Sequence, residues 1–462
     1  LTPRPELAER WDIEDHGARY RFHLRRDVRW HDGVPFTSAD VKFTFEELLL
    51  KFHSRTRASL GPALLRIDAP DDSTVVFQFR HPYAPLLQQL DVGEAPIMPR
   101  HVFAGTDPLR NPANIAPTGT GPFRFVAYNP NGEIRYRANA DYFRGPPPLD
   151  AVVLRIIPDP GTQVMALEAG EVDWLFAVPG PERQRLRADP RIRLIQGTVN
   201  SGGSNCVMTL GFNLDRPWFR DIRVRRAFAH AFDRQQFLER VLFGEGRVAE
   251  APISSRIGFA HASDLAMPPF DTARSKQLLD AVGWRRVDDE MRTAHDVPGI
   301  ADGTPFVIGF KGMPSQMVYG DLLRAQLRAI GIELRLEPLD PAVFAHAVFT
   351  ARDFDTAIAA YCNGTDPEIG VRRQLVSSNI GPIPFSNMAG YRNPVMDSLF
   401  ERAGAALAVG DRRGFYRQIQ EIAIEDQPYV WLVETIDTRA HSVRCRGFRT
   451  SAHFAAIAEC SE

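Results

Sequence analysis

The stretch whose residue types offer the most chemistry is residues 361–373, which reads YCNGTDPEIGVRR. It brings together an aromatic ring, a side-chain amide, acidic groups and two adjacent arginines, so it can stack, hydrogen-bond and form ion pairs. The apolar run that precedes it, residues 354–361, predicts a buried strand. Polar loops at strand ends of α/β domains commonly hold ligands, so the sequence predicts a recognition loop here.

The two arginines of this loop, Arg372 and Arg373, can receive a carboxylate or another anionic group through a bidentate fork. If a helix begins near Glu368, adjacent residues point about 100° apart, so only one of the two can face a ligand. We favour Arg372 slightly. The alternative that both arginines are solvated stays open.

A second polar and aromatic segment follows at residues 385–391, and it is of the kind that lines ligand clefts. Within it, Phe385 and Asn387 are candidate ligand contacts. Paired arginines also recur elsewhere, as at Arg225–Arg226 and Arg412–Arg413. We expect these pairs on solvated helix faces.

Signals of catalysis are weak throughout the sequence. His31, followed by Asp32 and Gly33, reads as a turn with a structural histidine rather than an acid–base site. The Gly119-Thr120-Gly121 run lacks the lysine and the strand-to-helix context of a phosphate-binding loop. There is no GxSxG, no HExxH and no metal-ligand spacing, so we expect no enzymatic activity, no catalytic residues, no metal and no cofactor.

Composition and charge further limit the class of protein that this chain can be. The 55 basic and 57 acidic residues give a formal net charge of −2, which offers no general attraction for nucleic acid. No apolar run approaches the ~18 residues needed to cross a bilayer. The four cysteines form no CxxC motif, and four unpaired, partly buried thiols are the favoured interpretation. A bridge between Cys445 and Cys460 is left open.

The elements around the recognition loop predict an α/β domain. A strand at residues 305–310, a helix over 316–330 ended by Gly331, and an alternating strand at 332–336 form a βαβ unit. The first half of the chain is richer in short strands and turns, which indicates an α+β region. Since a single core stops growing near ~250 to 300 residues, a chain of 462 residues predicts at least two domains.

The order of several motifs resembles the family 5 extracellular solute-binding proteins, which are the dipeptide, oligopeptide and nickel receptors of ABC importers. The resemblance spans nearly the whole chain. It is carried by PELAERW (5–11), YRFHLR (20–25), VRWHDGVPFTSADVKF (28–43), TGTGPF (118–123), NADYF (139–143), LEAGEVD (167–173) and DIRVRRAF (221–228).

The resemblance implies an α/β, two-lobe periplasmic binding protein of type II, with an extra subdomain in lobe I and a cleft that closes about a hinge. Lobe I would comprise residues 1–205 with 429–462, and lobe II residues 206–428. It further implies a secretion signal and a strand-rich segment before Leu1, export to the periplasm, and delivery to ABC permease subunits in the inner membrane. A lipid anchor is left open. We expect a monomer that binds no nucleic acid.

The resemblance also bears on the ligand. In peptide-binding relatives, an aromatic residue at the strand end, here Tyr361, precedes an aspartate that pairs with the α-ammonium of the ligand. Asn363 stands at about that place, and an amide supplies no net charge. Asp366 either substitutes for the aspartate or serves the turn before Pro367. We therefore expect a peptide or a small peptide-like, anionic solute, with a metal-chelate receptor or a cleft hydrolase as alternatives.

Overall fold

The computed structural model describes residues 3–196, 205–286, 290–446 and 459–460. The chain forms two compact units, Leu1–Ser204 with Asp437–Glu462, and Asn205–Ile436. The sequence-based boundary placed residues 429–436 in the first lobe. Tyr429–Glu434 instead pairs with the strand Cys206–Phe212, and so it belongs to the second unit.

The first unit is built from short antiparallel sheets and short helices. Its strands are β1 (Ala8–Glu14), β2 (Arg19–Leu24), β3 (Leu64–Asp71), β4 (Thr74–Phe79), β5 (Phe123–Tyr128), β6 (Glu133–Ala138), β7 (Ala151–Arg155), β8 (Trp174–Leu175), β9 (Ile192–Gln196), β18 (Thr438–Ser442), β19 (Cys445–Arg446) and β20 (Glu459–Cys460). Its helices are α1 (Ser38–Phe43), α2 (Leu50–Phe52), α3 (Ser54–Ala63), α4 (Leu86–Gln89), α5 (Arg100–Phe103), α6 (Pro160–Glu168) and α7 (Arg183–Ala188).

The sheets of the first unit have the orders β1-β2-β4-β3, β5-β6-β7 and β8-β18-β9, with β19 paired to β20. Strand β2 alternates between buried and partly exposed residues, as its period-two pattern predicts. Its inward side chains Tyr20, Phe22 and Leu24 join one core of the unit. The C-terminal strand β18 completes a sheet with β8 and β9, which ties residues 438–442 to the first unit.

The second unit holds a larger mixed sheet. Its strands are β10 (Cys206–Phe212), β11 (Arg247–Val248), β12 (Trp284–Arg285), β13 (Thr293–Ala294), β14 (Val307–Gly312), β15 (Glu333–Pro338), β16 (Thr356–Cys362) and β17 (Tyr429–Glu434). Its helices are α8 (Ile222–Ala231), α9 (Arg234–Arg240), α10 (Thr272–Val282), α11 (Met317–Ala329), α12 (Pro341–Ala345), α13 (Pro367–Gly370), α14 (Arg372–Leu375), α15 (Pro394–Ala405) and α16 (Val409–Asp426).

The main sheet of the second unit has the order β11-β17-β10-β16-β14-β15. Strands β14 and β15 are parallel and are joined by α11, so the βαβ unit predicted from the sequence is confirmed. Every residue of β10 and β17 is buried, which explains their nearly continuous apolar sequence. Across the described residues, we find no helix with the length and apolarity that a bilayer span requires.

A disulfide joins Cys206 to Cys362 across the main sheet. The two residues lie directly opposite each other, at the first position of β10 and the last position of β16. The favoured prediction of unpaired thiols is therefore wrong. The two cysteines are 156 residues apart in sequence, so only the pairing of β10 with β16 brings them together. Cys445 is also disulfide-bonded, and its register partner between β19 and β20 is Cys460.

Candidate ligand-binding site

The predicted recognition loop leaves the end of β16 and turns at once into two short helices, α13 and α14. Gly364 has a φ of 68°, a left-handed conformation that glycine adopts without steric cost. Asp366 caps α13 by accepting a hydrogen bond from the Glu368 backbone amide at 3.0 Å. Helix α13 packs so closely on the end of β16 that a side chain at Gly370 would collide with the backbone of Cys362 and Asn363.

Asn363 is the first loop residue after β16, and its side chain is buried. Its Oδ1 accepts a hydrogen bond from the Ser254 backbone amide at 2.6 Å. Its Nδ2 lies 3.4 Å from the carbonyl oxygen of Tyr361. The backbone amide of Asn363 donates to the carbonyl of Asn205 at 3.2 Å, and the Asn205 side chain donates to the carbonyl of Gly364. The start of the loop is thus held from two sides.

Glu434 supports the same region from the end of β17, and it was not among the residues predicted from the sequence. Its buried carboxylate accepts hydrogen bonds from Ser254 Oγ at 2.9 Å, Ser255 Oγ at 2.7 Å and the Ser255 backbone amide at 3.0 Å. Ser254 therefore links Glu434 to Asn363. The signal that points to Glu434 is an acidic residue at the end of an otherwise apolar, buried strand.

Asp366 is held by two residues of α16, Arg412 and Tyr416. Arg412 Nη1 lies 2.7 Å from Asp366 Oδ2, and Arg412 Nη2 donates to Oδ1 at the same distance. The Tyr416 hydroxyl also donates to Oδ1, at 3.0 Å. Arg412 is buried, and so is Arg225 of the other pair, so the expectation of solvated arginine pairs is wrong for one member of each. The spacing of four residues that places Arg412 and Tyr416 on one face of α16 is a signal that sequence reasoning missed.

Arg372 and Glu368 form a second buried ion pair, with Arg372 Nη1 at 3.2 Å from Glu368 Oε2. The guanidinium of Arg372 also lies 5.8 Å from the ring centre of Phe400. The other carboxylate oxygen, Glu368 Oε1, has no hydrogen-bond partner among the described residues. Burial, reinforced by the neighbouring charge of Asp366, raises the pKa of Glu368 to about 7 against the lowering effect of Arg372.

Arg373 lies beside aromatic rings. Its guanidinium is 5.3 Å from the ring centre of Tyr361 and 5.8 Å from that of Phe385. It also donates to the carbonyl oxygens of Gly370 at 3.2 Å and Cys362 at 3.4 Å. Phe385 is 43% exposed and has a φ of 60°, an unusual conformation for a bulky residue. Tyr361, Arg373 and Phe385 therefore form one aromatic and cationic group, and its outer member is accessible.

Asn387, the other candidate from the downstream segment, is buried. Its Nδ2 donates to the carbonyl oxygens of Val376 at 3.1 Å and Tyr391 at 2.9 Å, and its Oδ1 accepts from the Tyr391 amide at 3.1 Å. The Tyr361 hydroxyl donates to the carbonyl of the adjacent Ser386 at 2.8 Å. The two predicted segments, 361–373 and 385–391, are thus in direct contact.

The first unit carries its own polar cluster around His31. The Gly119 amide donates to His31 Nδ1 at 3.2 Å, so the ring proton resides on Nε2, which donates to the carbonyl of Gly121 at 3.0 Å. Burial lowers the pKa of this imidazole, which favours its neutral form. The side chain therefore joins two turns. Within the described ranges, no group of three or more His, Cys, Asp or Glu residues is arranged to hold a metal ion.

Comparison with known protein families shows to which family the chain belongs. Residues 2–381 match the bacterial extracellular solute-binding proteins of family 5. The chain belongs to this family. Membership confirms the resemblance carried by the sequence motifs, and with it the class of solute-binding proteins.

Two relatives are similar to nearly the whole chain. The chain is 27% identical to heme-binding protein A of Haemophilus influenzae over 96% of this chain and 81% of that protein. It is also 27% identical to the oligopeptide-binding protein AppA of Bacillus subtilis, over 94% of this chain and 78% of AppA.

Solved structures confirm the fold. AppA of Bacillus subtilis with a nonapeptide superposes with a TM-score of 0.85 at 24% identity, over 99% of this chain and 90% of that one. NikZ of Campylobacter jejuni with Ni(L-His) gives 0.84 at 20% identity, over 98% and 90%. The ABC transporter-associated periplasmic protein DppA of Helicobacter pylori with the peptide STSA also gives 0.84, at 22% identity over 99% and 90%. The α/β solute-binding fold expected from the sequence is therefore confirmed.

Proposed function

We propose that this protein is the substrate-binding receptor of an ABC-type importer and that it captures a peptide or a small peptide-like, anionic solute. It would act as a monomer in the periplasm and deliver the solute to permease subunits in the inner membrane, without chemistry on the solute. AppA is an oligopeptide-binding protein, and DppA is a periplasmic, ABC transporter-associated protein, which supports this role. The Cys206–Cys362 disulfide is consistent with an oxidising compartment.

The observation that carries the proposal is the group formed by Tyr361, Arg373 and Phe385 at the end of β16. A guanidinium beside aromatic rings combines an apolar contact surface with a donor for an anionic group. Asn363 adds an amide at the start of the same loop. These residues are our proposed ligand contacts.

Between the two arginines, the contacts favour Arg373. Arg372 is engaged by Glu368 within the second unit, and removing it would leave a buried carboxylate unpaired. Both arginines are buried, which excludes the alternative that both are solvated, but Arg373 lies against Phe385, whose ring is 43% exposed. We therefore assign the anion contact to Arg373. Asp366 and Asn387 act, in this proposal, as supports of the loop.

Mass spectrometry of the ligand retained after mild purification tests the solute class. A recovered peptide or organic anion with unchanged mass after prolonged incubation supports the proposal. A recovered metal chelate would instead favour a nickel-type receptor, and fragmentation of the ligand would favour a hydrolase.

Substitution of Arg373 tests the anion contact with the recovered ligand. Arg373→Ala should weaken binding at least tenfold, and Arg373→Lys should recover part of the loss because charge returns without the planar fork. Arg413→Ala, which removes an exposed arginine of α16, is the matched control and should bind as the wild type does. Equal affinity of the Arg373→Ala and wild-type proteins contradicts the assignment.

A further inference from the structure

The Cys206–Cys362 disulfide lies where the recognition loop leaves the main sheet. Cys362 is the last residue of β16, and Asn363 follows it directly. Cys206 is the first residue of β10, and Asn205 before it is the first residue of the second unit. The bond therefore joins the start of the loop to the point at which the chain enters the second unit.

The segment that leaves the second unit contacts the same cysteine. Ile436 is the last residue of this unit, and Thr435 precedes it. The Thr435 backbone amide donates a hydrogen bond to the Cys206 carbonyl at 2.8 Å, and the Thr435 hydroxyl donates to the same oxygen at 3.1 Å. Cys206 thus connects three segments, which are the two chain connections between the units and, through its sulfur, the recognition loop.

Two hydrogen bonds join the loop to Asn205 beyond the disulfide. The Asn363 amide donates to the Asn205 carbonyl at 3.2 Å, and the Asn205 side chain donates to the Gly364 carbonyl. These contacts extend the pairing of β10 with β16 past its last residue pair, Cys206 with Cys362. Hydrogen bonds at the end of a strand pair open readily, because fraying there costs little free energy. The disulfide fixes the strand pair at this end and so keeps Asn205 opposite Asn363.

The end of β16 also positions Arg373. Its guanidinium donates to the carbonyl of Cys362 at 3.4 Å and to that of Gly370 at 3.2 Å. Gly370 lies so close to the backbone of Cys362 and Asn363 that a side chain at this position would collide with both. A displacement of the Cys362 backbone would therefore also displace α13 and the guanidinium that we assign to the anion contact.

We propose that the Cys206–Cys362 disulfide is a redox switch for the recognition loop. When the bond is formed, the start of the loop is fixed and the proposed solute contacts are held in place. A dithiol breaks the S–S bond by giving two electrons and two protons, which yields two cysteine thiols and the oxidised dithiol. The start of the loop then frays, and the solute is bound more weakly. The effect on the solute rests on the proposed function, whereas the opening of the loop does not.

Amide hydrogen exchange before and after treatment with a dithiol tests the switch under native conditions. The loop reporters are the backbone amides of Asn363, Ile369 and Val371, all of which are hydrogen-bonded, and the reference amides lie in β14 and β15. Thiol alkylation and mass spectrometry give the reduced fraction. We expect exchange of the loop amides to rise at least tenfold on reduction, while the reference amides keep their rates.

Two results would overturn the switch. Loop amides that exchange equally in the oxidised and reduced protein show that hydrogen bonds and packing suffice to hold the loop. Loop and reference amides that accelerate together show that the disulfide stabilises the whole second unit and not the loop in particular.

Double variants assign the effect to one disulfide. Cys206→Ser with Cys362→Ser should show fast loop exchange without the dithiol and no further response to it. Cys445→Ser with Cys460→Ser, which replaces the cysteines that face each other between β19 and β20, is the matched control and should respond as the wild type does. Loss of the response in this control refutes the switch. If the first variant does not fold, reduction of the control variant decides, because Cys206 and Cys362 are the cysteines that remain in it.

The ligand recovered by mild purification separates the switch from the proposed function. Reduction of the control variant should weaken its affinity for this ligand at least tenfold. Unchanged affinity with an opened loop would overturn the role of the switch in solute binding. Recovery of no ligand counts against the proposed function, and the exchange measurement then still decides whether the disulfide holds the loop.

Discussion

Two clusters, one in each unit, join an acidic to a basic side chain at the same distance and differ in burial. In the first unit, Asp32 and His101 lie 2.7 Å apart, with side chains that are 38% and 32% exposed. In the second unit, Asp366 and Arg412 are also 2.7 Å apart, with side chains that are 3% and 8% exposed. An exposed pair is screened by water and adds little to stability, whereas breaking a buried pair leaves a charge without solvent or partner. Burial, and not distance, therefore decides which cluster holds its surroundings together.

Burial also shifts pKa values in both units, and it shifts the pKa of an acid and the pKa of a base in opposite directions. It lowers the pKa of His31 in the first unit and raises the pKa of Glu368 in the second to about 7. In each case burial shifts the equilibrium toward the neutral form, because the charged form loses its hydration. Of these two groups, Glu368 has its pKa raised to about 7, so its ionisation should make the stability of the second unit depend on pH between about 4.5 and 7.

The largest effect expected is from Arg412→Ala, which leaves Asp366 buried without its cation. We expect the free energy of unfolding to fall by about 3 to 5 kcal/mol. Urea denaturation measures it. The matched control is Arg413→Ala, since Arg413 is the adjacent residue but is exposed, and it should change stability by less than about 0.5 kcal/mol. Similar losses in both variants would mean that the buried cluster is not the stabilising element.

The disulfide at the start of the recognition loop should contribute next. Replacing Cys206 and Cys362 together by serine removes a crosslink between residues 156 positions apart, and should cost about 2 to 4 kcal/mol. Thermal denaturation of the wild type and the double variant measures the loss. Comparing each protein with and without a reductant provides the control, because only the wild type has this crosslink to lose. A loss below about 1 kcal/mol would indicate that the pairing of β10 with β16 suffices.

Titration of Glu368 gives a prediction with a defined sign. The folded-state pKa of about 7 lies above the ordinary value of 4.5, so the folded protein binds the proton more tightly. The contribution of Glu368 to the free energy of unfolding should therefore be largest below pH 4.5 and should be lost as the pH rises toward 7. The difference between the two pKa values corresponds to about 3 kcal/mol.

Glu368→Gln isolates this effect, since glutamine cannot ionise. Relative to the wild type, the free energy of unfolding of the variant should rise by about 2 to 3 kcal/mol between pH 5 and pH 8, measured by urea denaturation at both values. Glu401→Gln, on the exposed face of α15, serves as the control and should keep the wild-type pH dependence. If the difference in free energy of unfolding between the wild type and the Gln variant is the same at pH 5 and at pH 8, the titration of a buried Glu368 is refuted.

The smallest effect belongs to the exposed pair of the first unit. Asp32→Asn removes the charge that faces His101 and should lower the free energy of unfolding by no more than about 1 kcal/mol. The residual loss should diminish further in high salt, because solvent-exposed charges are screened. A loss comparable to that of Arg412→Ala would remove the distinction between the two clusters.

Much of the fold could be predicted from the sequence because it follows from local patterns. The βαβ unit of β14, α11 and β15 has an apolar strand, an amphipathic helix and a glycine stop in the right order. The alternation of β2 likewise identified its buried face. Family membership followed from motif order, and the buried strand β16 with a polar loop after it followed from an apolar run that ends in polar residues.

The partners of the loop could not be predicted in this way. The distances along the chain from Asp366 to Arg412, from Asn363 to Ser254 and from Cys362 to Cys206 are all long, and no local pattern marks them. Arg412 in particular resembles any exposed helical arginine in sequence. It is buried because α16 packs against the loop and places its guanidinium on Asp366.

The sequence by itself determined the class of the protein, its secondary structure and which loop carries the unusual chemistry, since these depend on neighbouring residues. Only the tertiary structure decided which of those polar groups are already occupied. Hydrogen bonds and ion pairs are made across space, so the commitment of Asp366 and of the Asn363 oxygen depends on α16 and on Ser254.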